Sequence, residues 1–130
     1  MAAPRRRRVA VIGLDCAEPD LMLGRWLDEL PNIRRLVAEG TSGPLRSVDP
    51  PITVPAWSCM MSGLDPGELG IYGFRNRADH SYDALTIADS RAVDVDRVWD
   101  RLGRAGRHIV VIGVPQTSPP FPVNGELVSC

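Results

Sequence analysis

Asp94-Val95-Asp96-Arg97-Val98-Trp99-Asp100-Arg101-Leu102-Gly103-Arg104-Ala105-Gly106 leads, after one arginine, into His108-Ile109-Val110-Val111-Ile112-Gly113-Val114-Pro115. The first stretch carries acids early, arginines late and a final glycine, an order that suits both ends of a helix dipole and a helix stop. Val95, Val98, Trp99 and Leu102 form its expected buried stripe. The second stretch is apolar, β-branched and of strand length, and reads as a buried strand. A helix feeding such a strand belongs to a βαβ-type crossover, so the fold class is α/β with a mostly parallel sheet flanked by helices.

Working outward, Val9-Ala10-Val11-Ile12-Gly13-Leu14-Asp15 reads as another buried parallel strand, stopping at an acid. Pro19 to Leu30 has apolar residues at helical spacing, with Pro31 expected to stop it. Asn32 is placed to cap a second helix over residues 33–39, with Ile33, Leu36 and Val37 facing inward and Gly40 as its stop. Residues 43–48 read as a strand. The span 64–89 reads as loop-rich, with turns at Asp65-Pro66-Gly67 and Tyr72-Gly73-Phe74 and a short exposed strand over residues 84–87. Ser118 to Pro122 is a proline-rich loop. After the Asn124-Gly125 turn signal no closing helix or strand is expected in residues 126–130, so the chain reads as cut short. No internal repeat is present.

The 130 residues are 44% hydrophobic, enough for one domain with a core. A formal net charge of −1 gives no global pull toward a nucleic acid polymer or an anionic membrane. Arg5 to Arg8 are the one basic block, and the apolar stretch after them is too short for a secretory signal, so no signal peptide and no membrane span are expected. The three cysteines are odd in number and lack CxxC spacing, as expected of free thiols in a reducing cytoplasm. Cys16 beside Asp15 reads as small filler rather than a metal ligand.

Dinucleotide and P-loop patterns are absent, as is GxSxG, and neither His80 nor His108 has a partner at metal spacing, so a His-based triad is not expected. Chemistry is sought instead at Pro50-Pro51-Ile52-Thr53-Val54-Pro55-Ala56-Trp57-Ser58. Paired prolines favour extended backbone and Pro55 suits a first helical turn, so a helix from Pro55 to Ser62, stopped by Gly63, would point its positive end at whatever binds beside Thr53. That favours an anion such as phosphate. Thr53 as a simple cap is the other reading. Asp15, at the carboxyl end of its strand, stands where ligands gather in open α/β sheets and suits a divalent cation; a turn acid is the alternative.

The ordered set of VIGLD, LPNIRRLVAEG, PPITVPAW before a short helix and SG, and VPQTSPPFPVNGELVS resembles the alkaline phosphatase superfamily, in its type I phosphodiesterase/nucleotide pyrophosphatase branch with bacterial phosphohydrolase and phosphomutase-like members. The resemblance implies a three-layer α/β/α fold, with residues 1–130 the N-terminal part of one catalytic domain. It implies Asp15 as a metal ligand, Thr53 as both nucleophile and ligand, and two divalent metal ions, usually zinc. It also implies hydrolysis of a small phosphoester through a phospho-threonine, with this stretch inactive alone because further Asp and His ligands lie downstream. The Asn that nucleotide pyrophosphatases often carry three positions after the nucleophile is Ala56 here. Three other readings stand beside it. One is a phosphomutase or sulfatase-like member, which would isomerise a sugar phosphate or use a modified Cys or Ser. Another is a non-catalytic anion-binding module, whose phosphate binding would survive chelation. The last is a small structural α/β protein with no site, which would leave the ordered motifs unexplained.

Overall fold

The structure, a computed structural model, describes residues 7–79 and 81–130; Arg5, Arg6 and His80, considered above, lie outside the described residues. The chain divides into two compact units, one running to Leu45 and one from Arg46 to Cys130.

In the first unit the apolar run before Asp15 is not a strand. Residues 7–14 have no regular structure, and Val9 and Ile12 are 87% and 84% exposed. A strand exists only by pairing its backbone with a neighbour, and no described residue pairs with this run. Composition named the residue types correctly but could not supply the partner. The expected helix from Pro19 is a π-helix over Asp20–Arg25 closed by a 3₁₀ turn over Leu27–Glu29, with Trp26 N–H donating to Leu21 O at 2.8 Å. Pro31 does not merely end that segment: it opens helix α1, Pro31–Glu39. Its missing N–H is harmless in a first turn, so Leu30 rather than Asn32 occupies the cap position. Ile33 and Val37 are half-buried while Leu36 is exposed. Residues 43–48 form no strand.

The second unit holds the buried core. Helix α2 spans Thr53–Ser62 and ends at Gly63, whose φ of 80° is the left-handed stop expected of glycine. A one-turn helix, α3, follows at Pro66–Leu69, closed by a capping box between Asp65 and Glu68. Strands β1, Arg75–Arg77, and β2, Leu85–Ile87, pair antiparallel with Asn76 opposite Thr86. The short exposed strand near residues 84–87 is thus present, with a partner that the alternation of Arg75-Asn76-Arg77 did not announce. Val54, Ile71 and Val93 make the core cluster, with Leu69 and Ala88 packed against it.

Helix α4 covers only Val98–Arg104, shorter than the expected span. Arg97 N–H donates to Asp100 Oδ2 at 2.8 Å, so the carboxylate three residues on fixes the helix start, and Asp94 to Asp96 remain ahead of it. Of its predicted stripe only Trp99 is buried; Val95, Val98 and Leu102 are exposed. Strand β3, Ile109–Ile112, pairs in parallel with β4, Gly125–Val128, in the register Val111 opposite Leu127. The tail therefore does close on a strand, contrary to its reading as an open end. The link between this parallel pair is the proline-rich loop and not a helix. His108 Nε2 lies 3.0 Å from Glu126 Oε2 beside the pair. The fold is mixed α/β, built on one antiparallel and one parallel two-stranded sheet among the described residues.

Candidate active site

Thr53 is the first residue of α2 and is half-buried, with Ile52 in the extended cap position before it. The helix expected from Pro55 begins two residues earlier, so Thr53 lies inside its first turn and Ile52, not Thr53, holds the cap position. Pro51 is exposed, and Ile52 N–H donates to Pro50 O at 2.9 Å, so a tight turn leads into the helix. Ala56 N–H closes the first turn on Ile52 O at 3.0 Å. Pro55, fully buried, occupies the third position, where no N–H is required. A hydroxyl at the start of a ten-residue helix sits at the positive end of the backbone dipole, which favours negative charge developing on or beside it.

Below Thr53 the helix carries two serines that turn their hydroxyls back on the backbone. Ser58 Oγ donates to Val54 O at 2.8 Å, and Ser62 Oγ donates to Ser58 O at 2.7 Å. Ser58 also meets the Oε1 of Gln116 from the Pro115-Gln116-Thr117 turn. Cys59, buried on the same helix, has its thiol pushed up first by burial and then by the charge of Asp65, which leaves it a packing residue rather than a nucleophile.

The turn facing Ser58 is fixed by its own contacts. Thr117 is 0% exposed and its Oγ1 donates to Val114 O at 2.6 Å. Ser90 binds the next peptides, its N–H donating to Ser118 O at 2.8 Å and its Oγ to Pro119 O at 2.6 Å. Arg97, 7% exposed, donates through Nη2 to Ser90 O and Val93 O and lays its guanidinium 4.4 Å from the Phe121 ring centroid. Burial pushes this guanidinium below its usual value, with the charge of Asp100 opposing. Sequence reading found none of Ser58, Arg97 or Gln116. The one available signal was Gln116 inside VPQTSPP, a polar side chain set between an apolar strand and prolines.

Asp15 is exposed, in a turn where Ala17 N–H donates to Leu14 O at 3.3 Å, and the next residue, Cys16, has φ 57°. Asp15 belongs to the first unit and Thr53 to the second, so the structure describes them separately. One carboxylate and one hydroxyl are fewer ligands than a metal pair needs. Among the described residues no group of three or more His, Cys, Asp or Glu side chains is gathered to hold an ion. The residues present therefore do not by themselves fit a two-metal centre. Among the described residues no helix is long and apolar enough to cross a membrane.

The family described as type I phosphodiesterase / nucleotide pyrophosphatase matches residues 9–127, nearly the whole of this sequence. No curated protein and no solved structure matches the chain.

Proposed function

Because the chain belongs to the type I phosphodiesterase / nucleotide pyrophosphatase family, we propose that it is the N-terminal part of a phosphoester hydrolase in which Thr53 is the nucleophile and Asp15 a metal ligand. The observation that carries the reading is Thr53 as the opening residue of α2, at the positive end of the helix. In the step proposed, a bond forms from Thr53 Oγ1 to phosphorus as the ester P–O bond breaks. The hydroxyl proton passes to solvent and the departing alkoxide takes one from it; water then attacks phosphorus, the Oγ1–P bond breaks, the phosphate leaves with the water oxygen, and Oγ1 regains a proton. Proteins of this family act on small phosphoesters, and the reading assigns this chain a substrate of that class.

By analogy with the family, two divalent ions, zinc among the candidates, would supply the Lewis acid, with Asp15 and Thr53 contributing only part of their ligand set. By the same reading, β3 and β4 are one pair of a mostly parallel sheet between two helical layers. Cys16, Cys59 and Cys130 are all free, which supports a reducing, cytoplasmic setting.

The test uses the full gene product, assayed on p-nitrophenyl phosphate and bis(p-nitrophenyl) phosphate with zinc supplied. Thr53→Ala should lower kcat by about a thousandfold or more, as loss of a nucleophile does, with the phosphorylated peptide of the wild type containing Thr53. Chelation should abolish turnover. Full activity of Thr53→Ala, or a wild type that turns over neither ester, overturns the proposal.

A further inference from the structure

Gln116 combines three features that its role in folding alone does not explain. Its backbone is left-handed, φ 62°, an uncommon state for a residue with a Cβ that persists where its surroundings impose it. Its side chain is buried. Its amide meets Ser58 of α2, one turn below the residue read as nucleophile.

The connection continues to Thr53. Ser58 Oγ donates to the carbonyl of Val54, the residue directly after Thr53. Ser58 has one hydroxyl hydrogen and faces two oxygens, Val54 O and Gln116 Oε1. A half-turn of the carboxamide about its last bond sets Nε2 against Ser58 and satisfies all three groups, Gln116 donating to Ser58 and Ser58 to Val54. A serine bonded to the carbonyl four residues back bends its helix, so the direction of the first turn of α2 depends on how firmly that hydroxyl is held. Gln116 can hold it because its own turn is pinned by Thr117, Ser90 and Arg97.

We propose that Gln116 is a positioning residue for Thr53, acting through the Ser58 hydroxyl and the Val54 carbonyl to set the first turn of α2. The role rests on the reading of Thr53 as nucleophile. It predicts an effect on the chemical step rather than on substrate binding, since Gln116 touches the helix and not the substrate.

The experiment measures kcat and KM on bis(p-nitrophenyl) phosphate, per folded molecule of the full gene product, for Gln116→Met, Gln116→Gly, Ser58→Ala and the Gln116→Met/Ser58→Ala pair. Gln116→Met removes the amide at similar side-chain length, and Gln116→Gly removes it while relieving the left-handed backbone, which gives a second reading of the same loss in a less strained turn. Each single variant should lose on the order of 10- to 100-fold in kcat with KM within about twofold, and the double variant should lose no more than the worse single. Unchanged kcat in Gln116→Gly and Ser58→Ala, with Thr53→Ala inactive, overturns the positioning role and leaves the nucleophile standing. Losses that multiply in the double variant also overturn it, because they separate Gln116 from Ser58. Full turnover by Thr53→Ala overturns both the nucleophile and the positioning role built on it.

Discussion

Gly125 opens β4 at φ 150°, where a Cβ would stand 1.8 Å from Ile109 O on the paired strand. No rotamer relieves a clash between Cβ and backbone, so any side chain must push the two strands apart. Gly125→Ala is expected to cost roughly 2 kcal/mol or more, read as a lower urea midpoint of the full gene product; an unchanged midpoint overturns the close approach. The sequence marked this glycine, with Asn124, as a turn signal. Asn124 does serve the turn, its Nδ2 donating to Arg107 O at 2.8 Å, but the requirement at Gly125 is set by a strand sixteen residues earlier and cannot be read locally. A second residue-scale expectation concerns Trp99 Nε1, buried without a hydrogen-bond partner among the described residues, and the Gln116 amide atom that Ser58 does not hold. Both side chains line a cavity of about 10 Å³, the room a single water needs. One ordered water bridging them is expected in a high-resolution crystal structure, and a dry cavity overturns that assignment.

At the scale of elements, short-range chemistry decides where helices start. In α3 the Asp65 carboxylate accepts from Glu68 N–H at 2.8 Å while Glu68 Oε2 accepts from Asp65 N–H at 3.1 Å. Asp65→Ala should cost about 1 kcal/mol of unfolding free energy, and no loss in a denaturant titration counts against the cap. Arginine partners act similarly on acids: Arg91 holds the Asp89 carboxyl below its usual range and Arg104 does the same for Asp96. Each carboxyl is lowered in the folded state, so its contribution is present above the unfolded value and is lost as pH falls below about 4 through the folded one. Asp96→Asn should therefore flatten the acid side of a stability–pH profile, while an unaltered slope removes this pair as a cause. Such local signals were legible: Gly63 as the stop of α2, Pro55 in its first turn, and Leu85 to Ile87 as an exposed strand. What failed was the reading that apolar composition makes a buried strand, because Val9 to Leu14 need a hydrogen-bonded neighbour that no local pattern specifies. The candidate site divides the same way. A helix beginning beside Thr53 was legible from proline placement, whereas Gln116 reaches Ser58 across 58 positions of sequence.

For the whole molecule, the balance of buried and exposed apolar surface decides behaviour. The core cluster is small, Val54, Ile71 and Val93, with Ile71 at 2% exposure. Meanwhile Val110, Ile112 and Val128 stand out on β3 and β4, and Val9, Val11, Ile12 and Leu14 stand out in the first unit. A parallel pair is ordinarily covered on both faces, since its strands are built from residues that water disfavours on either side. Contiguous apolar surface on a soluble chain is where association occurs. The net charge of −1 supplies little repulsion to oppose it. The 130-residue chain prepared by itself is therefore expected to bind a hydrophobic dye such as ANS and to elute at larger size as its concentration rises. Val110→Asp with Ile112→Asp should reduce both signals without unfolding α2, because these side chains point away from the buried Val111 on the same strand. A monomer at all concentrations that leaves the dye dark would mean that this face is covered within the chain itself, and the sheet would then have to be larger than the two strands described.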